Sequence, residues 1–269
     1  MEKSPVRQLS LRLCLLTLVL GVTGGCQRKT ETAAPGSPAP GSKNTSVQAK
    51  PFATPISGPL TPALVTQAAD SITHYLHFPK DPEIAKLNDT VQFYCDVTDT
   101  GSVESTDAVV GKNPAFEAAV QTALDWGRFA PAMVNGNPVP VYLSGTVLFG
   151  HRNEQELIIV SLATYDRERV TKFANYIQPQ LVGGLRQTMQ KALAEGNRGN
   201  ISAGQAEVVV KVDASGKVTD ITSVSENPRD SGLAQILNDS LRQSQFTPAY
   251  ENGKAATGAI NVVADFSQF

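Results

Sequence analysis

From residue 60 onward the apolar positions follow first a helical and then an alternating spacing, and the whole succession is written twice. Residues 61–76 (TPALVTQAADSITHYL) and 179–196 (PQLVGGLRQTMQKALAEG) carry apolar side chains every three to four positions, which predicts a helix of about 14 residues in each. Val91, Phe93, Cys95 and Val97 then alternate ahead of Gly101, as Val208, Val210 and Val212 do ahead of Gly216. Period-two spacing puts each set on one face of a strand, and the glycine marks a turn into a second strand. A second helix follows, with Phe116, Ala119, Val120, Ala123 and Leu124 in one copy and Leu233, Ile236, Leu237, Ser240 and Leu241 in the other. Those positions share one helical face.

The last segment of each copy is nearly the same phrase. Residues 129–149 read FAPAMVNGNPVPVYLSGTVLF, and residues 246–266 read FTPAYENGKAATGAINVVADF. Phe129 and Phe246 anchor the end of the second helix, and Pro131 and Pro248 keep the helix from continuing. Asn135-Gly136 and Asn252-Gly253 supply the positive φ of a tight turn. A third strand follows, with Leu143, Val147 and Phe149 on one face and Ile260, Ala264 and Phe266 in the equivalent places.

The offset from Phe129 to Phe246 is 117 residues, and the same offset sets PALV (62–65) over PQLV (179–182). It relaxes to 115 between Gly101 and Gly216, as a difference in loop length requires. The chain thus divides into a unit at 60–149, a connection at 150–176 and a second unit at 177–269. Residues 157–163 in the connection form a short apolar run, which fits either a strand on an exposed sheet edge or the start of a connecting helix.

The N-terminal 59 residues follow a different pattern. Lys3, Arg7 and Arg12 precede an apolar run of 13 residues, 13–25, that ends in small residues before Cys26. A bilayer-spanning helix needs about 20 apolar residues, so the run predicts a secretory signal at 1–25. Residues 26–59 are rich in Pro, Ala, Gly, Ser and Thr and predict a semi-extended tether. At about 3.1 Å per residue it would reach on the order of 100 Å. Gly24, Gly25 and Cys26 resemble the lipobox of bacterial lipoproteins, with Thr23 where leucine is usual. That resemblance implies cleavage before Cys26, lipidation of Cys26 and, with Gln27 next, anchoring in the outer membrane facing the periplasm.

Composition removes several functions. The net charge is -2 and no run of Lys or Arg occurs, which argues against nucleic acid as a partner. Without Cys14 and Cys26, Cys95 has no thiol partner and reads as a small core residue. The Gly-Lys of DASGKV (213–218) lacks the earlier glycine of a phosphate-binding loop and reads as a hairpin turn. His74 and His77 have no accompanying carboxylate pattern for a metal, and no paired acids suggest catalysis. The expectation is a protein that is not an enzyme and needs no cofactor or metal.

VQFYCDVTDTGSVES (91–105) with RFAPAMVNGN (128–137), and VVVKVDASGKVTDITSVSE (208–226) with QFTPAYENGK (245–254), resemble the C-terminal domain of the TonB family. The PQLVGGLRQTMQKAL lead-in (179–193) is similar to that of some members. The resemblance implies an α+β fold of two tandem TonB C-terminal-like domains, each a small antiparallel three-stranded sheet backed by two helices. It further implies a protein partner, a TonB-dependent transporter or a component of the TonB system, whose extended peptide adds to the third strand. The corresponding residues are Val141, Leu143, Gly145 and Val147 in the first copy and Gly258, Ile260, Val262 and Ala264 in the second. Backbone groups at a strand edge would carry such recognition. The alternative is a structural envelope lipoprotein whose two domains pair with each other.

Overall fold

The two glycine turns are built alike. Gly101 has φ +84° and Gly216 φ +86°. Each turn closes by the same bond: Gly101 N–H donates to Thr98 O at 3.0 Å, and Gly216 N–H to Asp213 O at 3.0 Å. Each glycine carbonyl then accepts from a phenylalanine beyond the following helix, Phe129 N–H at 2.9 Å and Phe246 N–H at 3.0 Å. A Cβ would lie 2.0 Å from Phe129 O at the first and 2.1 Å from Phe246 O at the second, so both the conformation and the close approach demand glycine.

A computed structural model describes residues 45–49, 56–163, 175–195 and 203–269, all within one compact unit, Pro38–Phe269. In chain order its strands are β1 (Thr45–Ala49), β2 (Leu60–Thr61), β3 (Asp89–Val97), β4 (Val103–Val110), β5 (Ala132–Val134), β6 (Asn137–Val139), β7 (Val141–Arg152) and β8 (Gln155–Ser161). Then come β9 (Tyr176–Ile177), β10 (Gln180–Val182), β11 (Gln205–Val212), β12 (Val218–Asn227), β13 (Phe246–Thr247), β14 (Ala249–Glu251), β15 (Lys254–Ala256) and β16 (Gly258–Asp265). The helices are α1 (Ile72–Tyr75), α2 (Pro82–Ala85), α3 (Pro114–Trp126), α4 (Leu185–Glu195) and α5 (Leu233–Leu241). The signal, Cys26 and most of the tether lie outside the described residues.

The strand and second-helix expectations meet the structure directly. Val91, Phe93, Cys95 and Val97 are fully buried, as are Val208, Val210 and Val212. In α3, Asn113 caps the first turn by accepting from Ala115 N–H at 2.9 Å, Pro114 occupies the first turn, and Phe116, Val120, Ala123 and Leu124 face the core. The Asn-Gly turns are the tips of the β5–β6 and β14–β15 hairpins, with φ +51° at both Asn135 and Asn252.

The first helix of 60–149 is far shorter than the sequence predicts, while that of 177–269 forms over Leu185–Glu195 and only begins later than expected. Residues 61–76 yield only α1, because the backbone upstream is already paired in extended form: Leu64 exchanges both hydrogen bonds with Ala130, at 3.0 and 2.8 Å. In the second copy residues 180–182 become β10, and Gly183 and Gly184 turn the chain with φ +91° and +77° before α4 begins. Periodicity could not register this, since apolar spacing says nothing about which backbone groups are already spent.

The sheets also depart from expectation. Residues 205–265 contribute a sheet of three antiparallel strands, in order β12-β11-β16. In the first sheet, β4-β3-β7 continues into β8 and then β1, and β10 and β13 join at the start of β7. Residues 155–161 are thus a strand, and residues 45–49 of the expected tether form another. Behind this sheet, Tyr94, Tyr142 and Ala108 pack into the apolar cluster of the second copy, with Leu185, Met189 and Val208. The first sheet is therefore apolar on both faces: one covers its own helix α3, the other is part of the second core.

Candidate functional site: the third strands and their edges

Each candidate side chain on the two third strands points inward or sits in a crowded backbone. Val141, Leu143, Val147, Ile260, Val262 and Ala264 are buried. Gly145 is held by crowding, because a Cβ there would meet Phe93 Cζ at 2.4 Å. At Gly258 a Cβ would meet Ala249 Cβ at 2.5 Å and Tyr176 Oη at 2.6 Å. Recognition by these strands would therefore have to use their backbone edges.

The edge of β7 expected to be open is paired within the chain. β3 lies on one side of it from Val141 to Phe149. On the other side Val141 and Tyr142 pair with Val182 and Leu181, and residues 146–152 pair with β8. The gap between these neighbours is bridged by Gln178, whose Nε2 donates to Ser144 O at 2.8 Å and also to Ser144 Oγ. Val141, Leu143, Gly145 and Val147 thus lie in an interior strand, and the expectation of a free edge there is corrected. The cause is the chain beyond Phe149, which returns as a hairpin and adds its own strand where a partner's would lie.

On β16 the second edge is only partly closed. β11 pairs with it from Gly258 to Asp265, and it has no other strand neighbour among the described residues. Tyr142 reaches across from β7: its hydroxyl donates to Val263 O at 3.0 Å and accepts from Val263 N–H at 2.8 Å. A single phenol thereby does what a neighbouring strand would do for that residue. Tyr142 is fully buried, and burial pushes its phenol well above the ordinary range, with the nearby Asp107 adding to the shift.

Carboxylates collect at the same junction. Asp96 caps the start of α4, accepting from Leu185 N–H at 2.6 Å and Arg186 N–H at 2.9 Å, while its burial raises its pKa. Asp107 is raised to about 7, first by burial and then by Asp96, with the Asp265 amide offsetting part of the rise. Its Oδ2 has no hydrogen-bond partner. Gln180 joins the copies from another side, accepting from Ala63 N–H at 2.7 Å and donating to Ala63 O at 2.9 Å.

These buried polar residues were missed in the sequence, although they leave a trace. Gln178 and Gln180 interrupt an otherwise apolar YIQPQLV, and Tyr142 precedes Leu143 in an apolar strand. Polar groups in such runs need partners, but the sequence does not name them.

The remaining candidates have local explanations. Burial, ahead of Asp96 and Asp107, raises the thiol of Cys95 well above its usual value, which disfavours a reactive thiolate. DASGKV is a hairpin turn in which Asp213 Oδ1 accepts from Ser215 N–H at 2.8 Å and Lys217 N–H at 3.1 Å. Burial and then His74 hold His77 below the ordinary histidine value, and no cluster of metal-ligating side chains occurs among the described residues. A cleft of about 550 Å³ beside β12 is lined by Ser223, Glu226, Arg229 and Gln235 among others.

Residues 74–150 match the sequence model of the Gram-negative bacterial TonB protein C-terminal family. The matched span runs from α1 into β7 and includes the turn at Gly101, helix α3 and the Asn-Gly hairpin. No curated protein and no solved structure matches the chain. The match covers residues 74–150 of the 269 and shows what that region is similar to.

Proposed function

We propose that this chain is an envelope protein-binding module of two TonB C-terminal-like units, without catalysis, that serves as an accessory to TonB-dependent transport. The observation that carries the reading is the family match over 74–150. The second unit is proposed from the repeated glycine turn, with its equivalent carbonyl bonds to Phe129 and Phe246. A lipid on Cys26 would hold the module at the outer membrane, facing the periplasm. The partner would offer an extended peptide for strand addition. Of the two third strands β16 is the more accessible, because the edge on which Val263 meets the Tyr142 hydroxyl has no hydrogen-bonded strand among the described residues.

A second reading is favoured by the same junction. With β7 enclosed and β16 touched by Tyr142, the chain also suits a structural envelope lipoprotein whose units pair with each other. Titration of the full chain with N-terminal peptides of TonB-dependent transporters, followed by backbone amide NMR, separates the two. Shifts along β16 at up to millimolar peptide support the transport accessory. Unmoved β16 amides abandon it in favour of the structural role.

A further inference from the structure

The last strand of the first sheet comes from the expected tether. β1 lies parallel to β8, with Thr45 opposite Glu156, Val47 opposite Ile158 and Ala49 opposite Val160. It also lies close to α1. The two strands are held very unequally. β8 is anchored by Ile158 and Val160, both fully buried, and by seven paired positions on β7. Of the described β1 side chains, Val47 packs partly against the core while Ser46 and Gln48 are exposed.

Beneath β1 the chain reads Leu157-Ile158-Ile159-Val160, a run with no charge and no proline. Uncovered, such an edge invites pairing with any extended chain, and proteins ordinarily guard it with lysine, proline or a bulge. Here the cover is a separate five-residue segment, uncharged and joined to the sheet by parallel pairing. A short strand whose described side chains include a single packed apolar residue, Val47, is held in large part by the effective concentration its linkage confers.

We propose that the outer edge of β8 is a docking edge for an extended, uncharged peptide segment of a partner protein, and that β1 is its built-in, exchangeable occupant. The incoming segment runs parallel to β8, places a β-branched residue in the Val47 position opposite Ile158, and presents small polar residues on either side. This site is separate from the third-strand edges and does not depend on the transport reading.

The test uses the full chain and a fluorescently labelled peptide containing Thr-Ser-Val-Gln-Ala between Gly-Ser flanks. Val47→Pro removes a backbone N–H and disfavours β1 pairing. Peptide binding to this variant is expected to be at least about tenfold tighter than to the unaltered chain, with hydrogen exchange at Ile158, Ile159 and Val160 faster in the variant and slowed again by peptide. A Val47→Asp chain, which puts a charge at that position without touching the backbone, should behave likewise and decides the matter if the proline variant does not fold. Equal affinity for the variant and unaltered chains, or no binding to a folded variant, overturns the proposal. Because the probe is the chain's own sequence, failure here leaves the transporter-peptide experiment unaffected, and the reverse also holds.

Discussion

The stretches 60–149 and 177–266 use the same local devices but end in different surroundings. Each has a positive-φ glycine whose carbonyl accepts from a phenylalanine beyond the second helix, an Asn-Gly hairpin, and a third strand pairing with the first. After Phe149 the chain runs on through a hairpin whose turn residues Asn153 and Glu154 have φ +52° and +63°, and β8 closes the strand edge. After Asp265 the chain instead enters a single 3-10 turn, Phe266–Gln268, in which Asp265 Oδ1 accepts from Ser267 N–H at 2.9 Å. Among the described residues β8 and β10 thus close on β7 an edge that β16, its counterpart, keeps without a hydrogen-bonded strand.

The sharpest test of the correspondence is to damage both glycine turns in the same way. Gly101→Ala and Gly216→Ala each force an L side chain into the left-handed region and against a carbonyl about 2 Å away. Each should cost roughly 3–5 kcal/mol by denaturant unfolding, from the conformational penalty and the displaced phenylalanine together. If one substitution costs less than about 1 kcal/mol, the two turns are not equivalent in the way their hydrogen bonds indicate.

The junction between the copies should be sensitive to pH through Asp107. Its pKa in the folded chain is about 7, against 3.8 for an unperturbed aspartate, so the folded state holds this proton more firmly than the unfolded state. Stability contributed by the protonated carboxyl is therefore lost as pH rises from about 4 to about 7. Between pH 5 and pH 8 the loss should be about 2–3 kcal/mol. His77, with its pKa lowered, works in the opposite direction below its ordinary range, so the informative quantity is the difference between the unaltered chain and Asp107→Asn. Chemical denaturation across that range should show a flatter profile for the variant; parallel profiles would remove Asp107 from the account.

Tyr142→Phe is the mildest break, since it keeps the ring and deletes only the hydroxyl that serves Val263 twice. A loss of about 1–2 kcal/mol is expected, because a buried N–H and C=O then lack that partner. Amide exchange at Val263 should rise much more than exchange in β3. Uniform change across the chain would mean that Tyr142 does not specifically join β7 to β16.

Much of the fold is legible in the chain. The buried faces of β3, β11 and α3 follow from spacings of two and of three to four, and the strand at 155–161 is one of the two readings its apolar run allows. The long first helix failed around Leu64, and the helix expected from 179 starts only at Leu185, because extended backbone at Leu64 and Gln180 pairs with distant segments. The candidate edge failed at Val141, Leu143, Gly145 and Val147 for a related reason: the residues were placed on the right strand, but the strand proved to have two neighbours. Asp96, Tyr142, Gln178 and Gln180, which tie the copies together, looked like isolated polar residues in apolar surroundings.

The sequence by itself determined the glycine and Asn-Gly turns, and the inward faces of the strands and second helices. Those properties are set by relations among near neighbours, side-chain period and positive φ, whereas α3 and α5 stop at Trp126 and Leu241, ahead of Pro131 and Pro248. Tertiary structure alone decided which edges remain open, that the back of the first sheet serves the second core, and that residues 45–49 of the expected tether cover β8. Backbone hydrogen-bonding groups are the same in every residue except proline, so a sequence reveals that an edge exists but not which segment comes to lie against it.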